Sequence, residues 1–450
     1  MKLGISLALV AMAALGAAQT PPACANVRVR RNAATLSSSE WQAIGNVIQR
    51  MHQDGWITRF GSSHDRLFSR IHGNTAFFPF HRRFVLEFEN VARTYDPNFT
   101  VPYWDSTESF RNPAADPLLT SGALGTNGQA GTRCLADGIQ ANMQLSYPNN
   151  HCLRRNFNNG DSINSWYAPE IISSYLQRDT SLAKFREDIE YSIHGAVHLG
   201  LSGDMDSGYA AQDFSFMVHH ANLDRLWWDW QNAHNSFLMY DGTGANGAAS
   251  LTDVIPDDTS VPFNGATVES VMVLGYGNVC YTYDSSPSPP QAYPGAGAAA
   301  PPNNAGQQGQ QGQQGQQGQQ QSQPQQQGQQ QGQQQQQGAG PAMGPNPVLS
   351  GSSDLTNRIL ESSRLQRSLG QDFVNRFFPG LGRSFMPFQR RAYQESKAKC
   401  SHSKPLPYPP RLTPEWIHMH GFDPERVEAF HREACEIVEV LNNSTYKSPY

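Results

Sequence analysis

Histidine is the residue type whose number and spacing could carry chemistry in this chain. Its 450 residues include 14 histidines. Eight of these, His64, His72, His81, His194, His198, His219, His220 and His234, fall in two groups, and no comparable cluster of cysteines or carboxylates accompanies them. Uncharged imidazoles gathered in this way suit copper, zinc or nickel rather than calcium or magnesium.

In Glu190-Tyr-Ser-Ile-His194-Gly-Ala-Val-His198 a polar residue recurs every four positions, so a helix would stack Glu190, His194 and His198 on one face. Two imidazoles one turn apart can bind one ion. A satisfied core histidine is the plain alternative for a lone residue and a poor one for a pair with a carboxylate in line. Downstream, His219-His220-Ala-Asn-Leu-Asp224-Arg225 predicts another helix with His220, Leu223, Asp224 and Trp227 on one face. Adjacent side chains on a helix point about 100° apart, so one of the two histidines faces the metal. His220 is the better ligand, because Asp224 could help hold its second ring nitrogen or the neighbouring backbone; His219 is then structural. In the first group, the spacing from His72 to His81 would turn the rings about 180° apart on a straight helix. Phe77-Phe78-Pro79-Phe80 supplies a break, so that His72 ends one element and His81 opens the next, with Phe84, Val85 and Phe88 along its apolar face.

The elements that position these side chains lie in residues 19–284, where short helical patterns alternate with Gly, Pro and Asn clusters. Residues 285–347 are rich in Pro, Ala and Gly and then in repeated Gln-Gln-Gly, which predicts a disordered linker, with a self-associating or cross-linkable tract as the functional alternative. Residues 348–450 predict a small helical unit, periodic over Asp354 to Phe378 and Pro424 to Asn442. Its His402, His418, His420 and His431 lack the spacing of a second metal centre and read as surface or core residues. The net charge of -5 and the lack of any basic run exclude a phosphate-tracking surface, so nucleic acid is not an expected partner.

Met1-Lys2, the apolar run Leu3 to Leu15 and Gly16-Ala17-Ala18 have the layout of a secretory signal peptide over residues 1–18. That run is shorter than the ~20 residues a bilayer span needs, and no other segment is apolar enough. Secretion favours disulfides among the six cysteines. Fifteen connectivities are open; the positions group as Cys134 with Cys152, Cys400 with Cys435, and Cys24 with Cys280. Asn98, Asn442 and Asn443 head glycosylation sequons.

Ile71-His72-Gly-Asn-Thr-Ala-Phe77-Phe78-Pro79-Phe80-His81-Arg82, with Val101-Pro102-Tyr103-Trp104-Asp105 after it, resembles the first copper signature of tyrosinases. His194-x-x-x-His198 with Asp213-x-x-Phe216-x-x-His219-His220-x-x-x-Asp224-Arg225 resembles the second, and Val29-Arg30-Arg31 and Tyr281-x-Tyr283 resemble the flanks, which meet in that family. The resemblance covers roughly residues 24 to 284. It implies a mainly α fold in which a central four-helix bundle holds two copper ions, copper A by His64, His72 and His81 and copper B by His194, His198 and His220.

The implied reaction uses dioxygen as co-substrate to convert small phenols or catechols, or protein tyrosyl groups, into o-quinones. Glu190 occupies the position where relatives hold a water that can take the phenol proton, which makes it a candidate base. Gly195 stands where many strong monophenol hydroxylases carry asparagine, which points to catechol oxidation. Arg70 replaces a cysteine that some members bond to the copper A histidine, so no thioether is expected. Phe216 is placed to lie against the site. Many relatives carry a C-terminal segment that covers the site until cleaved, a role open to residues 348–450. The competing readings are an oxygen-binding protein and a structural matrix protein whose dicopper site does no catalysis.

Overall fold

The computed structural model describes residues 20–295, 369, 371–379, 404–444, 446, 448 and 450. The signal segment, almost all of the glutamine-rich stretch, residues 354–368, Cys400 and His402 lie outside the described residues.

The chain first builds three helices, α1 Ser38–Gln53, α2 Trp56–Ile71 and α3 Phe77–Ala92. Ser37 and Glu40 form a capping box that starts α1. Between α2 and α3 the break differs from the expected one. Pro79 does not interrupt the chain; it sits in the first turn of α3, where its missing N–H has no helical partner to lose. The reversal falls instead at Gly73 (φ 70°), a left-handed conformation that glycine adopts without Cβ strain. Asn74 closes the turn by accepting from the Ala76 N–H at 2.9 Å.

Later in the chain come α4 Pro169–Arg178, α5 Leu182–Ile189, α6 Gly195–Leu201 and α7 Phe214–His234. Here the expected single helix through Glu190 and His198 is not regular. Residues Glu190–His194 form a wide π-turn with Ser192 at φ -104°, ψ -106°, and the Ser192 hydroxyl donates to the Asp188 carbonyl inside the break. Such bulges reorient the side chains that follow them. His194 therefore begins α6 rather than continuing α5, while His194 and His198 still stand one turn apart with ring centroids at 4.7 Å.

α7 is buried on nearly every side. Two of its buried ionic groups are paired within the core: Asp213 caps the helix and pairs with Arg155 at 2.8 Å, and Arg225 pairs with Asp105 at 2.9 Å. The two flanks of this region meet, as β1 Arg28–Arg30 runs parallel to β6 Tyr281–Tyr283 with Arg30 opposite Tyr283. Between them in sequence lie the two-residue ladders β2 Gln144–Leu145 with β3 His151–Cys152, and β4 Thr243–Gly244 with β5 Gly247–Ala248. Disulfides join Cys24 to Cys280 and Cys134 to Cys152, both with Cα atoms 5.5 Å apart. Cys435 carries a free thiol among the described residues, where Cys400 is not included.

Three further helices, α8 Gln371–Phe377, α9 Pro414–Met419 and α10 Pro424–Asn443, share the same apolar core as α1–α7. α10 matches the periodicity expected from residue 424 onward and is capped by Asp423. α9 was not legible from periodicity because it is short, although Thr413-Pro414-Glu415 is a start signal, and the Thr413 side chain does accept from the Trp416 N–H. Asn98 and Asn443 are exposed. Asn442 is not free: its amide donates to the Leu406 carbonyl at 2.9 Å and accepts from the Leu406 N–H at 2.7 Å. No helix among the described residues is long and apolar enough to cross a membrane.

Candidate metal centre

Six histidines from four helical segments converge in the interior, and none is more than 3% exposed. His64 lies within α2, His72 caps its end, His81 follows the first turn of α3, His194 caps the start of α6, His198 lies on α6, and His220 lies on α7. Their ligand-capable atoms form two groups, His64 with His72 and His81, and His194 with His198 and His220, each group within 4.8 Å. The groups adjoin: the His81 and His220 rings stack at 4.0 Å.

Backbone carbonyls orient four of the rings. The Nδ1 atoms of His64, His72 and His81 lie 2.7, 3.0 and 2.8 Å from the carbonyls of Gly208, Phe68 and Phe77, and that of His198 meets the carbonyl of Met205. An N–H held on Nδ1 leaves the Nε2 lone pair directed inward. The Nε2 atoms of His64 and His81 face each other at 3.4 Å. His198 Nε2 and both nitrogens of His194 and His220 have no protein partner. Burial lowers the proton affinity of all six, that of His64 and His198 to about 4 and that of the others well below the ordinary range. Six buried, neutral imidazoles with inward lone pairs would be costly if nothing occupied the space between them, and they match the donor set copper accepts.

The sequence profile of the common central domain of tyrosinase matches residues 39–233. The chain is 32% identical over 302 residues to the tyrosinase ustQ of Aspergillus flavus, an alignment that covers 60% of this chain and 82% of that protein. The chain belongs to the tyrosinase family. A Streptomyces antibioticus tyrosinase is 26% identical over 269 residues, covering 54% of this chain and 96% of that one. A polyphenol oxidase structure from Thermothelomyces thermophila aligns at 22% identity with a TM-score of 0.49, covering 57% of this chain and 88% of that one. The chain is thus a tyrosinase-family copper oxidase; that family acts on phenolic substrates and uses a dicopper centre.

Within this tyrosinase-family site the remaining expected residues divide. Phe216 lies between the groups, with its ring 4.1 Å from His220 and 4.8 Å from His64. His219 is buried beside His198 at 5.3 Å but joins neither group. His234 sits away from the centre, where its Nε2 meets the Leu176 carbonyl at 2.9 Å.

Asp224 does not reach His220. Its carboxylate accepts from Arg82, from the phenols of Tyr281 (2.6 Å) and Tyr283, and from Arg30 at 3.4 Å. Charged donors outcompete a neutral imidazole for a buried carboxylate, so Asp224 ties α7 to α3 and to the β1–β6 pair. Glu190 is likewise tied to protein groups. One oxygen accepts from the Gly73 N–H at 2.9 Å and the other from Arg186 at 2.8 Å. Burial raises its proton affinity, and Arg186 and these hydrogen bonds oppose the rise. A carboxylate so fully buried is kept by its partners; this one fixes the turn after His72.

Sequence reasoning missed His420. α9 brings it to within 4.9 Å (ring centroids) of His72 and 5.8 Å of His194, with Trp416 packed 5.3 Å from His198. His72, His194 and His420 form a third group able to hold a metal. Trp416 and His420 stand four residues apart, the spacing that puts two side chains on one helix face, and that spacing was the only signal available.

Proposed function

We propose that this chain is a secreted copper oxidase that oxidises o-diphenols to o-quinones, with His64, His72 and His81 holding copper A and His194, His198 and His220 holding copper B. The observation that carries this reading is the pair of adjoining buried histidine groups, in the second of which His198 Nε2 and both nitrogens of His194 and His220 have no protein partner. Two copper ions there would accept the electrons of the phenol and pass them to dioxygen. The protein's own part is positional. Backbone carbonyls aim four of the rings, Phe216 packs between the two groups, and Glu190 holds the Gly73 turn that presents His72.

Catechols are the proposed substrates because Gly195 offers no side-chain amide beside His194. Secretion is supported by the apolar N-terminal run and by two disulfides, which persist in oxidising compartments.

The C-terminal unit is proposed to close the site. Leu412, Trp416 and His420 lie over the histidines, and Arg178 pairs with Glu433 and Arg426 with Glu187 along the same contact. A cleft of about 860 Å³ opens beside Ala196, Leu199, Tyr408 and Arg411, but none of the six histidines lines it. Oxygen uptake by the copper-loaded full chain, with a catechol and with a matched monophenol, before and after proteolysis between residues 300 and 340, tests the whole reading. Catechol turnover that rises after cleavage is expected. Absence of uptake in both states, with copper bound, would leave an oxygen-binding role instead.

A further inference from the structure

The covering segment carries an imidazole whose free nitrogen has nothing to bond. The Nδ1 atom of His420 meets the Trp416 carbonyl at 2.9 Å, which fixes the ring's orientation. Its Nε2 atom is buried and has no hydrogen-bond partner. A ring nitrogen of His420 lies within 4.8 Å of ligand nitrogens of both His72 and His194, one from each proposed copper group. The placement is held from behind as well. His420 packs against Trp416 with ring centroids 4.0 Å apart and meets Phe68 edge-on at 4.7 Å, and its carbonyl lies so near Gly73 that a Cβ there would approach to 3.1 Å. His418, on the same short helix, is exposed and shares none of these contacts.

We infer that His420 is a seventh imidazole ligand of the dicopper centre, supplied by the C-terminal unit between His72 and His194. The inference rests on the proposed ligand set and on the reading of the C-terminal unit as a cover. If the cover donates a ligand, metal and cover bind cooperatively: whatever factor the docked cover adds to copper affinity, copper adds to the docking of the cover. A cover that only packs over the site gives no such coupling. Covering and metal retention thereby become one equilibrium, and a phenol reaching the metal must displace a nitrogen as well as an apolar contact.

The test is amide hydrogen exchange of residues 414–420 in the full chain, copper-free and loaded with copper(I), with copper content measured on the same samples. Exchange in α1 serves as the check on folding. In the wild type and in His418→Ala, copper should slow exchange in this segment by about tenfold or more, the least that loss of even an outer partner of a metal ligand changes affinity. In His420→Ala and His420→Phe that copper-dependent slowing should vanish, and copper should pass faster to a competing chelator. Equal copper-dependent slowing in His420→Phe and wild type would overturn the inference, because phenylalanine fills the space without a lone pair. Slow exchange in the wild type with no response to bound copper would overturn it while leaving the cover reading intact. Fast exchange in both states would remove the cover itself.

Discussion

Asp224→Asn separates two roles that one carboxylate could play. In the structure its oxygens take a guanidinium from Arg82, a second from Arg30 and the hydroxyls of Tyr281 and Tyr283, all in the interior. An amide of the same shape keeps one acceptor, loses the charge, and turns an N–H toward groups that are themselves donors. Removing one partner of a buried ion pair costs about 3–5 kcal/mol. Arg30 retains Glu89 at 3.0 Å, and Arg82 retains the carbonyls of Val271 and Met272, both at 3.0 Å. The lower end, about 3 kcal/mol, is therefore expected. At about 2–4 °C per kcal/mol for a unit of this size, the midpoint of thermal unfolding falls by roughly 6–12 °C. Circular dichroism melts of copper-free and copper-loaded protein read it directly, and the fall must appear in the copper-free protein. Had Asp224 served to hold His220, the copper-free melt would barely move and copper retention would suffer instead. A copper-free shift under about 2 °C together with faster copper loss would refute the scaffold role.

Two further outcomes follow from single side chains. Burial raises the Asp229 carboxyl to about 7, against the opposing charge of Arg225. In the unfolded chain the same group ionises near about 4, so the stability it contributes is complete below that pH and is lost as the pH rises through about 7. Denaturant midpoints from pH 4 to 8 should decline less steeply in Asp229→Asn than in the wild type. On protein secreted from a glycosylating host, Asn98→Gln should remove the mass of one glycan, whereas Asn442→Gln should leave the mass unchanged because the Asn442 amide is bonded to Leu406.

The histidines that converge were readable because they fall in two stretches of sequence, His194 and His198 at a one-turn spacing and the others by the resemblance of the residues around them. The helices under them were readable for the same reason. What failed was inference about partners distant in sequence. Asp224 is four residues from His220, yet Arg30 and Arg82, which claim it, lie 194 and 142 residues away. Glu190 stands in register with His194 by counting, but a π-turn at Ser192 and the N–H of Gly73, 117 residues away, decide where its carboxylate goes. His420 escaped for a further reason. A residue that caps the end of a six-residue helix beyond a low-complexity stretch has no periodicity to announce it, and only the packing of α9 against α2 and α6 gives it a role. Asn442 is the same case in small, since a sequon says nothing of an amide bonded to Leu406.

Gly195 is where the two levels of reading meet, and they predict different things for one position. By resemblance, its missing asparagine sets substrate preference. By geometry, a Cβ at Gly195 would lie 2.4 Å from the Leu412 Cδ2 and 3.1 Å from the Trp416 Nε1, so glycine is the notch in which Leu412 and Trp416 of the proposed cover sit. The nearer atom is the end of a leucine side chain, which can turn aside, and alanine adds helix propensity worth up to about 1 kcal/mol. Gly195→Ala should therefore be tolerated, with catechol and monophenol turnover by the full chain rising slightly and in the same proportion. An asparagine is too large for Leu412 to yield to alone. Gly195→Asn should lift the cover, raising catechol turnover before any proteolysis, and any separate effect on substrate choice will show as a changed ratio of monophenol to catechol rates. The ratio and the latency are independent readouts of the same variant. If Gly195→Asn shifts the ratio but the uncleaved protein stays as closed as the wild type, the notch has no part in seating the cover.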